Sequence, residues 1–115
     1  MPPTLADRVR HILEAIEDIE RALASKSFEA FTRDLLLRLA IERLLEIVCE
    51  ASRRVPDDVK KSEPGIPWQK MVDFGNRLRH AYHRIDAEIV WGIARNDLPQ
   101  LKAFAERIMR DEERQ

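Results

Sequence analysis

The sequence is short of several things, and each shortage removes a class of explanation. It holds one cysteine, Cys49. A lone thiol closes no intrachain disulfide and offers no second sulfur at metal-ligand spacing. Set in an apolar helical stretch, Cys49 reads as a small buried hydrophobe, and the usage fits a reducing, cytoplasmic setting. No run approaches the ~20 apolar residues of a membrane span. Charge recurs on nearly every turn from Asp7 on, so no signal-peptide core is expected. No strand alternation, repeat or low-complexity segment appears. Charge of one sign is lacking too: 36% of residues are charged, yet the net charge is −1. A nucleic-acid-binding surface, if there is one, must therefore be local.

What is present is helix. The 115 residues suffice for a single domain over 1–115 with one core, no disulfide or metal being needed. Thr4 with Asp7 three residues on suits a helix start. Leu5, Val9, Ile12, Leu13, Ile16, Ile19 and Leu23 then recur at steps of three and four, with charge on the other side. After Ala24-Ser25-Lys26, Ser27 caps a second helix predicted to run unbroken to about Arg54. Its apolar residues, from Phe28 to Ala51, cover more than one face, as in a central helix buried on two sides. Glu50, among apolar neighbours, reads as a paired structural carboxylate.

Pro56 ends that helix. Val55 to Gly65 is the longest irregular piece, with room for one short helical turn. Pro67 suits the first position of the next helix, where its missing N–H has no partner to lose. Gly75 is expected to interrupt or relax that helix. Asp86 caps another helix closed by Asn96, and Asp97-Leu98-Pro99-Gln100 starts the last one, which frays from Met109. The expected fold is all-α, an up-down bundle of four to five helices with short connections.

The chemistry-bearing stretch is Gly75-Asn76-Arg77-Leu78-Arg79-His80-Ala81-Tyr82, followed by His83 and Arg84. On a continuous helix Asn76, Arg77, His80 and His83 share one side, and Leu78 turns to the core. Tyr82 lies about 200° around from His80. The two share a site only if the helix ends near Ala81 or a second subunit completes the pocket. These residue types suit a phosphodiester. A histidine accepts a proton from a ribose 2′-hydroxyl or donates one to a leaving oxygen. An arginine fork holds phosphate and offsets developing charge. Tyrosine contacts phosphate or stacks on a base. No metal or other cofactor is required. Spacing alone supports only a helical bundle with a basic patch, since arginine and histidine at helix ends are common without function.

Several motifs in order add more. They are His11-Ile12-Leu13-Glu14-Ala15-Ile16, Ser27-Phe28 leading to Asp34, Glu46-Ile47-Val48-Cys49-Glu50-Ala51, Ile66-Pro67-Trp68, Asn76 through Tyr82, Ile89-Val90-Trp91 and Asp97-Leu98-Pro99. Through them the chain resembles the HepT-like branch of the HEPN superfamily over essentially its full length. The resemblance implies a helical homodimer whose polar motif, an arginine, four to six intervening residues and then His-x-Tyr, gathers at the dimer cleft. It implies a metal-independent RNA-cleaving toxin, neutralised by an MNT-type nucleotidyltransferase antitoxin that in some systems attaches AMP to the motif tyrosine. On this pattern His80 is the general base or acid, and Tyr82 the phosphate contact and modification target. Asn76, Arg79, His83 and Arg84 contact RNA. The motif arginine is expected at Asp73, Phe74 or Gly75, and none is arginine. Arg77 is the nearest substitute on the His80 face, Arg79 the other. Either a substitute acts, or the chain is an interaction module that binds the nucleotidyltransferase or RNA without cutting. In that case an arginine restored at Gly75 is expected to awaken cleavage.

Overall fold

Thr4 opens the first helix as the sequence predicts. The Asp7 N–H donates to Thr4 Oγ1 (3.1 Å) and the Thr4 N–H donates to Asp7 Oδ2 (2.9 Å), a reciprocal cap that satisfies two otherwise orphaned donors. The computed structural model describes residues 3–80 and 85–114. Helix α1 spans Leu5–Leu23 and buries Val9, Ile12, Ile16, Ile19 and Leu23 along one stripe.

The predicted second helix is two. Helix α2, Phe28–Arg33, begins at Ser27, whose Oγ accepts from the Ala30 N–H (3.0 Å). The chain leaves helical geometry at Asp34 (φ −105°, ψ 93°), and α3 spans Leu35–Arg53. The reason is local competition: Asp34 Oδ1 accepts from the Leu37 N–H (3.0 Å), so its side chain caps a new helix rather than sitting inside an old one. Such a cap contributes about 1 kcal/mol, and the break lets α2 turn Phe31 fully inward.

Helix α3 is central, packed against α1 on one side and the fifth helix on the other. Ile41, Leu45, Val48 and Cys49 are buried there, and the Ser52 hydroxyl satisfies itself on the Val48 carbonyl (2.7 Å). Burial pushes the Cys49 thiol up to about 12, with the Glu46 charge adding to the shift, so it stays protonated at neutral pH.

The irregular piece holds one short helix, α4, Asp57–Lys61. Helix α5 spans Trp68–Arg79 with Pro67 as its cap, one residue earlier than the first-position role expected. Trp68 Nε1 donates to the Glu63 carbonyl (3.1 Å), and its ring meets Phe104 edge-on (centroids 5.4 Å apart). Gly75 neither interrupts nor relaxes α5. A Cβ there would lie 2.7 Å from Cys49 Cβ, so glycine serves to let α5 and α3 approach.

The last two predicted helices are one rod. Helix α6, Ala87–Gly92, passes through a π-helical turn at Ile93–Asp97 into α7, Leu98–Glu113. Asp97 does not cap: its backbone is helical, and buried Oδ2, without a directed hydrogen bond, is balanced by Lys70 Nζ at 2.7 Å. Helix α7 also continues well past Met109, where fraying was expected. Among the described residues, four long rods (α1, α3, α5 and α6–α7) thus form an all-helical bundle around one apolar core. Among the described residues no helix is long and apolar enough to cross a membrane.

Candidate functional site

Helix α5 delivers the polar stretch. It ends at Arg79, with His80 as its C-cap (φ −108°, ψ 16°) and the His80 N–H donating to the Asn76 carbonyl (3.2 Å). Helix α5 thus ends short of Ala81, which is itself outside the described residues. Tyr82, His83 and Arg84 themselves lie outside the described residues. Asn76, Arg77, Arg79 and His80 are exposed, while Leu78 packs against the core as expected.

The two arginines face different surroundings. Arg77 lines a shallow hollow with Lys70, Asp73, Phe74, Ile89 and Ile93, and makes no ion pair among the described residues. Arg79 turns toward α3. Its Nη2 donates to Glu50 Oε2 (3.1 Å) and its Nη1 to Asn76 Oδ1 (3.2 Å).

Glu50 is a hub. Arg53 donates to both its oxygens (3.0 and 3.3 Å) and Arg54 Nε to Oε1 (3.1 Å). The hydrogen bonds from Arg53, then those from Arg54, hold its carboxyl down at about 2, so it is ionised throughout the neutral range. The paired structural carboxylate read from the sequence is what the structure contains.

Sequence reasoning missed the groove around this hub. Arg8 and His11 of α1, Arg43, Glu46, Ile47, Glu50, Ala51 and Arg53 of α3, and Arg79 enclose about 450 Å³. The signal was partly there. Leu36, Ala40, Arg43, Ile47, Glu50 and Arg54 follow steps of four and three, so one outward stripe of α3 changes from apolar to charged. That α1 would supply the facing wall depends on tertiary packing.

The apolar half of that stripe is exposed, with Leu36 at 78%; beside it Leu39 is 47% exposed, and Leu35, Phe28 on α2 and Ile89 on α6 are partly exposed as well. Among the described residues, no three His, Cys, Asp or Glu side chains group as a metal site.

Comparison with known proteins agrees over most of the chain. The model of the family described as “Ribonuclease HepT-like” matches residues 12–108. A Thermococcus cleftensis protein named “Probable ribonuclease HepT” is 38% identical over 102 residues, covering 89% of this chain and 93% of its own length. A Methanocaldococcus jannaschii protein named “Putative RNase MJ1380” is 35% identical over 95 residues, 83% of this chain and 87% of its own. No solved structure matches significantly. The sequence motifs, the helical bundle and these relatives converge: the chain belongs to the HepT-like ribonuclease family.

Proposed function

We propose that this chain is a metal-independent endoribonuclease that works as a homodimer and is the toxin partner of an MNT-type nucleotidyltransferase antitoxin. The observation that carries the reading is the end of α5. In a chain of a ribonuclease family, that helix stops with an exposed imidazole, His80, flanked by Arg77 with no ion pair among the described residues and by Arg79 held on Glu50.

Those groups suffice for transesterification. His80 takes the proton of a ribose 2′-hydroxyl, and the freed oxygen attacks the adjacent phosphorus. The 5′-oxygen leaves and is protonated from water, so the products are a 2′,3′-cyclic phosphate and a 5′-hydroxyl. Arg77 offsets the charge gathering on the phosphate, a task for an unengaged guanidinium. Arg79, Asn76, His83 and Arg84 hold the RNA, and Tyr82 contacts the phosphate. AMP transferred to the Tyr82 phenol from a nucleoside triphosphate, with pyrophosphate leaving, would fill the site and silence it.

The second copy is assigned to the apolar half of the α3 stripe. Exposed leucines at Leu35, Leu36 and Leu39 form a patch that a two-fold partner covers with its own. Leu36→Glu is expected to shift the protein from dimer to monomer in analytical ultracentrifugation at micromolar concentration, with RNA cleavage falling in step. A wild type already monomeric there contradicts the dimer.

One observation favours a second reading. The position where the family pattern leads one to expect an arginine, Gly75, is closed by Cys49, which suits an interaction module that binds RNA or the nucleotidyltransferase without cutting. Expression of the chain alone and with any MNT-type nucleotidyltransferase encoded beside it separates the two. Growth arrest by the chain alone, relieved by co-expression, is the toxin outcome. Unimpaired growth with a stable complex is the module outcome.

A further inference from the structure

We propose that the groove between α1, α3 and the end of α5 is a subsite for the RNA backbone, binding phosphate beside the scissile one, with Arg8 and Arg43 as its outer contacts. The inference rests on the reading that RNA is the substrate, and adds where the strand runs.

Charge comes first. The chain as a whole is at −1, yet this groove sets four arginines and His11 against two glutamates. Both glutamates are engaged, Glu46 by Arg43 (3.1 Å) and Glu50 by Arg53, Arg54 and Arg79. Arg8 has no ion pair among the described residues. A polyanion entering the groove therefore meets a local positive surplus, focused between two helices.

Order comes second. One carboxylate, Glu50, holds the guanidiniums of Arg53 and Arg79, which line the groove, and that of Arg54 beside it. Phosphate is the ligand such an array fits. Ile47 and Ala51 add apolar wall, and about 450 Å³ lies within the range of small-ligand pockets, ample for a nucleotide unit. Continuity comes third. Arg79 lines this groove and is followed directly in sequence by His80, which puts the groove beside the end of α5.

The test uses the full chain and a fluorescein-labelled single-stranded RNA. Its binding is followed by anisotropy from 50 to 400 mM salt for the wild type, Arg8→Gln/Arg43→Gln and Arg8→Lys/Arg43→Lys. Each lost phosphate contact flattens the log–log salt dependence by about 0.7, so the glutamine pair is expected to flatten it by about 1.4. It is also expected to weaken binding roughly ten- to thirtyfold near 0.1 M salt, raising KM much more than it lowers kcat, with an unchanged melting temperature. The lysine pair, which keeps the charges, is expected to recover most of the affinity.

RNA bound and cleaved with the same salt slope in the glutamine pair overturns the subsite while leaving the ribonuclease reading intact. Unchanged RNA binding with lost binding of the nucleotidyltransferase reassigns the groove to a protein partner and also overturns it. A wild type that binds no RNA overturns both readings.

Discussion

Replacing His80 with alanine is expected to lower RNA cleavage by about 10²–10⁴-fold, or roughly 3–5 kcal/mol of transition-state stabilisation, while leaving the fold untouched. The size follows from the role proposed for His80, moving the 2′-hydroxyl proton. The structural silence follows from position: His80 caps α5 through its backbone N–H, the residue is exposed, and among the described residues its side chain makes no hydrogen bond or ion pair. The melting temperature should therefore stay within about a degree of wild type, since exposed substitutions change stability by less than ~0.5 kcal/mol. Arg77→Gln should cost about 10²–10³-fold, chiefly in kcat, as expected for one donor to developing charge. Arg79→Gln should act more on KM, because the role proposed for Arg79 is to position the strand. Cleavage by His80→Ala equal to wild type would mean that the activity belongs to a contaminant or to another residue.

The second large effect is on stability. Gly75→Ala is expected to destabilise the protein by about 1–3 kcal/mol, the usual cost of overpacking, even though alanine is the better helix former. The added Cβ meets Cys49 Cβ at 2.7 Å, and neither atom is the end of a flexible side chain. For a chain of this size that is a fall in melting temperature of roughly 5–20 °C. Cys49→Gly removes the opposing Cβ. The double variant should be more stable than the sum of the single effects predicts, and strict additivity would show that the contact is not the cause.

Gly75→Arg should be worse than alanine, since it buries a long cation at the same crossing without a partner. This changes how the missing motif arginine is to be tested. Restoring it in place confounds chemistry with unfolding, so a return of activity on that substitution alone is not expected. The chain has closed the position by bringing α3 and α5 together, and the proposal gives the phosphate's guanidinium to Arg77 or Arg79 instead.

Much of this arrangement was legible in the residues themselves. The stripe of α1 and its Thr4/Asp7 cap depend on near neighbours, and neighbours are what a sequence displays. The break at Asp34 was missed because apolar residues continue on both sides of it; only the aspartate's capping bond distinguishes a kinked pair from one long helix. The α6–α7 junction failed the other way. Asp97-Leu98-Pro99 carries every mark of a helix start, but a π turn carries the helix straight through and Lys70 from α5 claims the carboxylate. Gly75 read as flexibility and proved to be proximity, a property of two helices at once.

The site divides the same way. Asn76, Arg77, Arg79 and His80 announced themselves by crowding together, and Glu50 by its apolar setting. The separation of Arg77 from Arg79 followed from which helix lay on each side of α5. The groove needed the α1–α3 pairing, which no local pattern encodes.

The most direct test is the chemistry of the cut ends. A single-stranded RNA incubated with the wild-type chain in excess EDTA, then resolved by mass spectrometry, should yield fragments ending in 2′,3′-cyclic phosphate with 5′-hydroxyl partners, and none with His80→Ala. Fragments bearing 3′-hydroxyl and 5′-phosphate ends, or cleavage that requires a divalent ion, would contradict the imidazole mechanism at the end of α5.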